Sequence, residues 1–152
     1  MVDLKKLKQL REETGVSYAL CKKALEETNN DIATAKKKLY ELGAGKIEEK
    51  SERPTVQGGI FNYTHHNKQV ASLVEILCET DFVSGNEEFT KFGNEIAMQV
   101  ASLKPKNVEE LLDQDYIREP GKKIKDLLKE VVLKFGENIK ISRFLYWQLG
   151  KS

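Results

Sequence analysis

The segment QVASLVEILCE, residues 69–79, constrains the fold most, because Val70, Leu73, Val74, Ile76 and Leu77 make it almost continuously apolar. A strand of that composition is buried on both faces, or rests one face on a helix layer and the other on a partner. Upstream of it, apolar residues recur at helical spacing. Around it the period becomes two. The architecture therefore changes along the chain. At 152 residues, such a chain makes one medium domain or a small unit attached to a core domain. Its 32% charged and 39% hydrophobic residues are the balance of a soluble globular protein.

Residues 3–42 read as three short helices. Leu4, Leu7 and Leu10 recur in the first, which Thr14-Gly15 ends. Ser17 is a candidate N-cap for the second, which carries Leu20, Ala24 and Leu25. After Asn29-Asn30-Asp31 the third carries Ile32, Ala35 and Leu39, with Gly43 as its expected end. About 40 residues give a small core, so residues 1–43 are expected to be a marginal unit of the docking-module kind. This three-helix module is similar to ubiquitin-associated (UBA) domains. Residues 44–56 have the composition of a linker, with a mixed charge run, helix formers from Lys46 to Glu52, and Pro54.

Residues 57–152 form the second domain. GGIFNYTHH and QVASLVEILCE read as a hairpin turning near Asn67-Lys68. NEEFTKFGNEIAMQVASL is an amphipathic helix with Phe89, Phe92, Ile96, Ala97, Val100 and Leu103 in one stripe. Asn86 is its N-cap, and Lys104-Pro105 stops it. A short helix at NVEELLDQ and a longer one at GKKIKDLLKEVVLKFG follow, and NIKISRFLYWQL is a final strand. The expected class is α+β: a three-helix UBA-like module, a linker, then a three-stranded antiparallel sheet covered by helices on one side.

Charge and motifs exclude several functions. A net charge of +1 gives no electrostatic footprint for nucleic acid, and the lysine runs sit among acids as solvated helix faces. No apolar run approaches the roughly 20 residues of a membrane span, and MVDLKKLKQL has no apolar signal core. Cys21 and Cys78 lack metal-ligand spacing and suit a reducing compartment. His65 and His66 fall in the hairpin turn and point to opposite faces if extended, which disfavours shared metal ligation. Gly58-Gly59 precedes a strand, not a helix, so it is no phosphate cradle. Glu75 and Glu79 share a strand face with Asp81 just beyond, either as an acid pair or as solvated carboxylates. Neither a cofactor nor a metal site is expected, and a binding protein is favoured over an enzyme. A hydrolase using Cys78 is a distant alternative.

The candidate site is Asp81-Phe82, at the corner between the apolar strand and the amphipathic helix. Two readings stand. In one, Phe82 folds back into the core and Asp81 caps the turn. In the other, Phe82 is presented as an anchor for a partner's pocket.

Three stretches carry a family resemblance. LREETGVSYALCKKALEETNNDIATAKKKLYELG resembles the N-terminal module of translation elongation factor Ts. VEILCETDFVSGNEEF is similar to that family's signature, including Glu79-Thr80-Asp81-Phe82-Val83 and Asn86. FGENIKISRF and DQDYIREPGKKIKDLLKE are similar to later parts of the family's core, and the order is the family's. The resemblance implies guanine-nucleotide exchange without covalent chemistry. The partner is the GTPase elongation factor Tu, in its GDP-bound and nucleotide-free forms. It implies that Phe82 wedges into the GTPase, that Asp81 disturbs the metal and phosphate-loop hydrogen bonds, and that Thr80 and Val83 shape the corner. Arg11, Tyr18 and Ala19 match the docking positions of the N-terminal module, with Tyr18-Ala19 where the family often has two methionines. The chain has room for one core subdomain. It resembles the short form, in which two chains pair their sheets as a homodimer. The expected compartment is a bacterial-type cytoplasm or the matrix of an organelle derived from one. The alternative is a UBA-like adaptor that binds a partner protein without nucleotide exchange.

Overall fold

The computed structural model describes residues 1–151, apart from the side chains of residues 43, 44 and 46–48. The chain divides into two compact units, Met1–Glu52 with Lys129–Gly136, and Arg53–Leu128 with Glu137–Ser152.

The first unit contains α1 (Leu4–Thr14), α2 (Tyr18–Glu27) and α3 (Ile32–Lys50). Asp3 caps α1 by accepting from the backbone N–H of Lys5 and Lys6. Gly15 ends it at φ 70°, a left-handed conformation that glycine adopts without a Cβ penalty. Ser17 caps α2 by accepting from Leu20 N, the role its sequence position suggested. Leu7, Leu10, Val16, Cys21, Ala24, Leu25, Ala35 and Leu39 form the core, and Leu133 packs against it. Helix α3 runs on to Lys50, past the end expected at Gly43 and into the expected linker, through the helix formers that begin at Lys46.

The second unit is α+β. Strands β1 (Gln57–Thr64), β2 (Val70–Cys78) and β3 (Lys140–Gln148) form one antiparallel sheet in the order β1-β2-β3. Helix α5 (Glu87–Leu103) covers one face of it, placing Phe89, Phe92, Ile96 and Val100 against Phe61, Val74 and Ile76. The rings of Phe61 and Phe89 meet edge to face at 5.8 Å. Ser72, buried among these side chains, donates from Oγ to the carbonyl of Ala97 at 2.5 Å. Asn86 caps α5 by accepting from Glu88 N at 2.8 Å, and Lys104 ends it in the left-handed region at φ 50°. Two shorter helices, α4 (Asp81–Ser84) and α6 (Val108–Asp113), precede and follow α5, and α7 (Ile124–Phe135) leads to β3.

The opposite face of the sheet is different. The register aligns Asn62, Leu73 and Leu145 in one row and Thr64, Ala71 and Trp147 in the next. Alternation puts these side chains on the side away from α5. Ile60 is 68% exposed there, Leu73 44%, Leu145 56% and Trp147 75%. Strand β2 is therefore buried on one face only.

Candidate functional site

The strand-to-helix corner begins where β2 ends at Cys78. Thr80, in extended backbone, is the N-cap of the four-residue helix α4, and its hydroxyl accepts from Val83 N at 3.4 Å. This helix was not expected; the sequence suggested only a turn. The first-turn acid, Asp81, is exposed, Val83 is buried, and Phe82 is 80% exposed. Phe82 does not fold back into the core; its side chain faces solvent. Thr80, not Asp81, caps the turn, so the Asp81 carboxylate stays free of the cap.

The corner is fastened from the rear. The Glu137 carboxylate accepts from the backbone N–H groups of Glu79 and Thr80, both at 3.1 Å, and from the Thr80 hydroxyl at 2.6 Å. In the other direction, Glu79 Oε2 accepts from the Asn138 N–H at 2.6 Å and pairs with Arg53 at 3.6 Å. Asn138 Nδ2 donates to the Arg53 carbonyl at 2.9 Å. Two carboxylates thus cross between residues 79–80 and 137–138, Glu137 accepting from the backbone of Glu79 and Thr80 and Glu79 from that of Asn138. Charge-assisted bonds of this kind are shorter and stronger than neutral ones.

The suggested acid pair does not form. Glu75 lies on the exposed sheet face, where Ser142 Oγ and Arg143 Nη2 donate to it. Those two donors, Ser142 first, hold its carboxyl below the usual range. Glu79 turns instead to Asn138 and Arg53. Cys78 is buried, donates to the Thr80 carbonyl at 3.3 Å, and has its thiol pushed up by burial and then by Glu137. A protonated, buried thiol is a poor nucleophile. His65 Nδ1 and the Tyr63 hydroxyl share a hydrogen bond at 3.0 Å, and the His65 and His66 ring centroids lie 4.1 Å apart with the rings tilted by 50°. Among the described residues, no three His, Cys, Asp or Glu side chains gather as a metal site. No helix among them is long and apolar enough to cross a membrane.

In the first unit, Arg11, Tyr18 and Ala19 are exposed, and the Arg11 guanidinium lies 4.2 Å from the Tyr18 ring centroid. This cation–π contact holds two long side chains in one arrangement at the α1–α2 turn.

Sequence reasoning missed Glu137, Glu79 and Arg53 as supports of the corner. The quoted FGENI stretch already contained Glu137, but no periodicity links it to a partner 58 residues away.

A sequence profile of the family Elongation factor TS matches residues 79–152. The chain is 34% identical over 196 aligned positions to elongation factor Ts of Thermosipho melanesiensis, covering 99% of this chain and all of that protein. It is 36% identical to elongation factor Ts of Coprothermobacter proteolyticus, covering 95% of this chain and 96% of that protein. It is 42% identical to elongation factor Ts of Clostridium novyi over 95% of this chain and 47% of that protein.

Proposed function

The chain belongs to the elongation factor Ts family of translation elongation factors, and on that premise we propose that it is a guanine-nucleotide exchange factor for elongation factor Tu. It binds the GDP-bound GTPase, promotes GDP release, and holds the nucleotide-free form until GTP arrives. It performs no covalent chemistry. Binding is reciprocal: a protein that prefers nucleotide-free elongation factor Tu over the GDP form by a given factor weakens GDP by the same factor.

The observation that carries this reading is the 80% exposed Phe82 beside the uncapped Asp81, on a corner braced by Glu137. Burying a phenylalanine side chain is worth roughly 1.5–3 kcal/mol. In the free chain that gain is unrealised, so it is available for opening a pocket near the nucleotide. The carboxylate of Asp81 then competes for the hydrogen bonds and metal that hold the phosphates. Thr80 and Val83 set the angle of the tip, one by capping and one by burial. Arg11, Tyr18 and Ala19 form a separate docking patch. In this scheme residues 1–43 dock, 44–56 link, and 57–152 carry the tip and the surface for a second copy. The working form is a homodimer in a cytoplasm of bacterial type.

The test is release of labelled GDP from elongation factor Tu with and without the chain. Acceleration is expected, and Phe82→Ala should slow it at least about tenfold, the lower bound of the energy above. Because Phe82 is exposed, its far-UV circular dichroism and melting temperature should match the parent's. Full acceleration by Phe82→Ala removes Phe82 as the wedge. No acceleration by the parent chain refutes exchange, and tight binding without release would leave the adaptor reading.

A further inference from the structure

We propose that Glu137 is a positioning residue for the Asp81–Phe82 tip, acting at a distance from any partner through the backbone of residues 79–80. The inference rests on the exchange reading above for its consequence, but its geometry stands alone. Helix α4 has four residues, too few to be stable by itself. Phe82 is 80% exposed and gains no packing that would fix its direction. The helix is nonetheless anchored. Val83 is buried beneath it, and the Glu137 carboxylate takes three hydrogen bonds from Glu79 and Thr80.

The Thr80 hydroxyl shows how the hold is transmitted. It accepts from Val83 N at 3.4 Å while donating to Glu137 at 2.6 Å. The short bond to the carboxylate points the hydroxyl's lone pairs toward the first turn of α4. Removing Glu137 frees that rotor and leaves the N–H groups of residues 79 and 80 to water. The cap then weakens, and the tip samples more directions. A misplacement of about 1 Å at a docking group can cost about a hundredfold in rate. Val83 still tethers the corner, so the loss should be smaller than that and the fold should survive.

The experiment compares Glu137→Ala, Glu137→Gln, Phe82→Ala and the double variant Phe82→Ala/Glu137→Ala in labelled-GDP release from elongation factor Tu. Glu137→Ala should lower the maximal release rate about tenfold, with a smaller change in the concentration for half-maximal effect. Glu137→Gln keeps an oxygen for both N–H groups but puts an N–H donor where the Thr80 hydroxyl donates, so it should recover only part of the rate. In the Phe82→Ala background, Glu137→Ala should cost less than about twofold, since its effect runs through the tip. A general loss of structure would instead cost the same in both backgrounds. Full activity of Glu137→Ala, or an undiminished loss in the Phe82→Ala background, overturns the proposal.

Backbone relaxation and amide exchange by NMR, with the chain alone, separate this inference from the exchange reading. In Glu137→Ala the amides of residues 79–84 should become more mobile and lose protection, while those of β1 and α5 stay as in the parent. If the parent fails to release GDP, the exchange reading falls and these amides still decide the lock. Unchanged mobility at residues 79–84 overturns it.

Discussion

Gly93 fixes how closely α5 can lie on the sheet. A Cβ there would overlap the Phe61 ring, which fills the space above the glycine. In an exposed helix, glycine to alanine gains about 1 kcal/mol of helix propensity. Here the added methyl must displace a buried aromatic that also packs edge to face on Phe89, and such overpacking costs about 1–3 kcal/mol. The steric cost wins, so Gly93→Ala should lower the melting temperature by a few degrees, the shift expected for about 1–2 kcal/mol in a chain of this size. Adding Phe61→Leu should recover part of the loss by vacating the ring. A Gly93→Ala variant at least as stable as the parent would mean that the Phe61 ring swings aside without cost.

At the scale of elements, the three N-terminal helices depend on few side chains. Among the described residues their core is eight buried side chains, of which Leu10, Cys21, Leu25 and Ala35 are fully buried. Replacing a buried leucine by alanine costs about 2–5 kcal/mol. Leu25→Ala should therefore raise amide exchange throughout α1–α3 while protection in β1, β2 and α5 stays unchanged. A uniform rise across the chain would instead show one cooperative unit. These helices were readable because apolar period, cap residue and Gly15 all agree in Leu4–Glu27. Strand β3 was readable in composition, with a phase slip between Ile141 and Phe144. The register shift at Glu75/Ile76 explains it as a bulge, with Ser142 reaching back to Glu75. Helix α4 was not readable, because four residues show no period. The Glu137 clamp was not readable either, since its bonds span 57 and 58 residues and follow from topology rather than from local pattern. The exposure of Phe82 stayed undecided for the same reason: pattern places a phenylalanine at a corner but does not say on which side of it.

For the whole molecule, the outstanding feature is the apolar sheet face bearing Ile60, Leu73, Leu145 and Trp147. Shallow hollows of about 240 Å³ lie between these side chains. A face of this kind, with Glu75 and Arg143 paired at one end, suits a second copy of itself, since a two-fold axis brings each apolar row onto its equivalent. Its size sets the strength of the pairing. Strands of nine residues are about 30 Å long at roughly 3.3 Å per residue, and three strands are about 14 Å wide, a flat area on the order of 400 Å². A standard interface uses about 800 Å² per partner. Even with the relief of the side chains, the face alone is a small interface, so a homodimer formed on it should dissociate reversibly in the micromolar range. Sedimentation equilibrium should give about twice the chain mass at tens of micromolar and a falling mass on dilution. Trp147→Glu with Leu145→Glu places two carboxylates in the apolar rows and should leave a monomer whose circular dichroism is unchanged, because both side chains are exposed in the single chain. A parent chain that is monomeric at tens of micromolar, or a double variant that still dimerises, would rule this face out as the dimer surface.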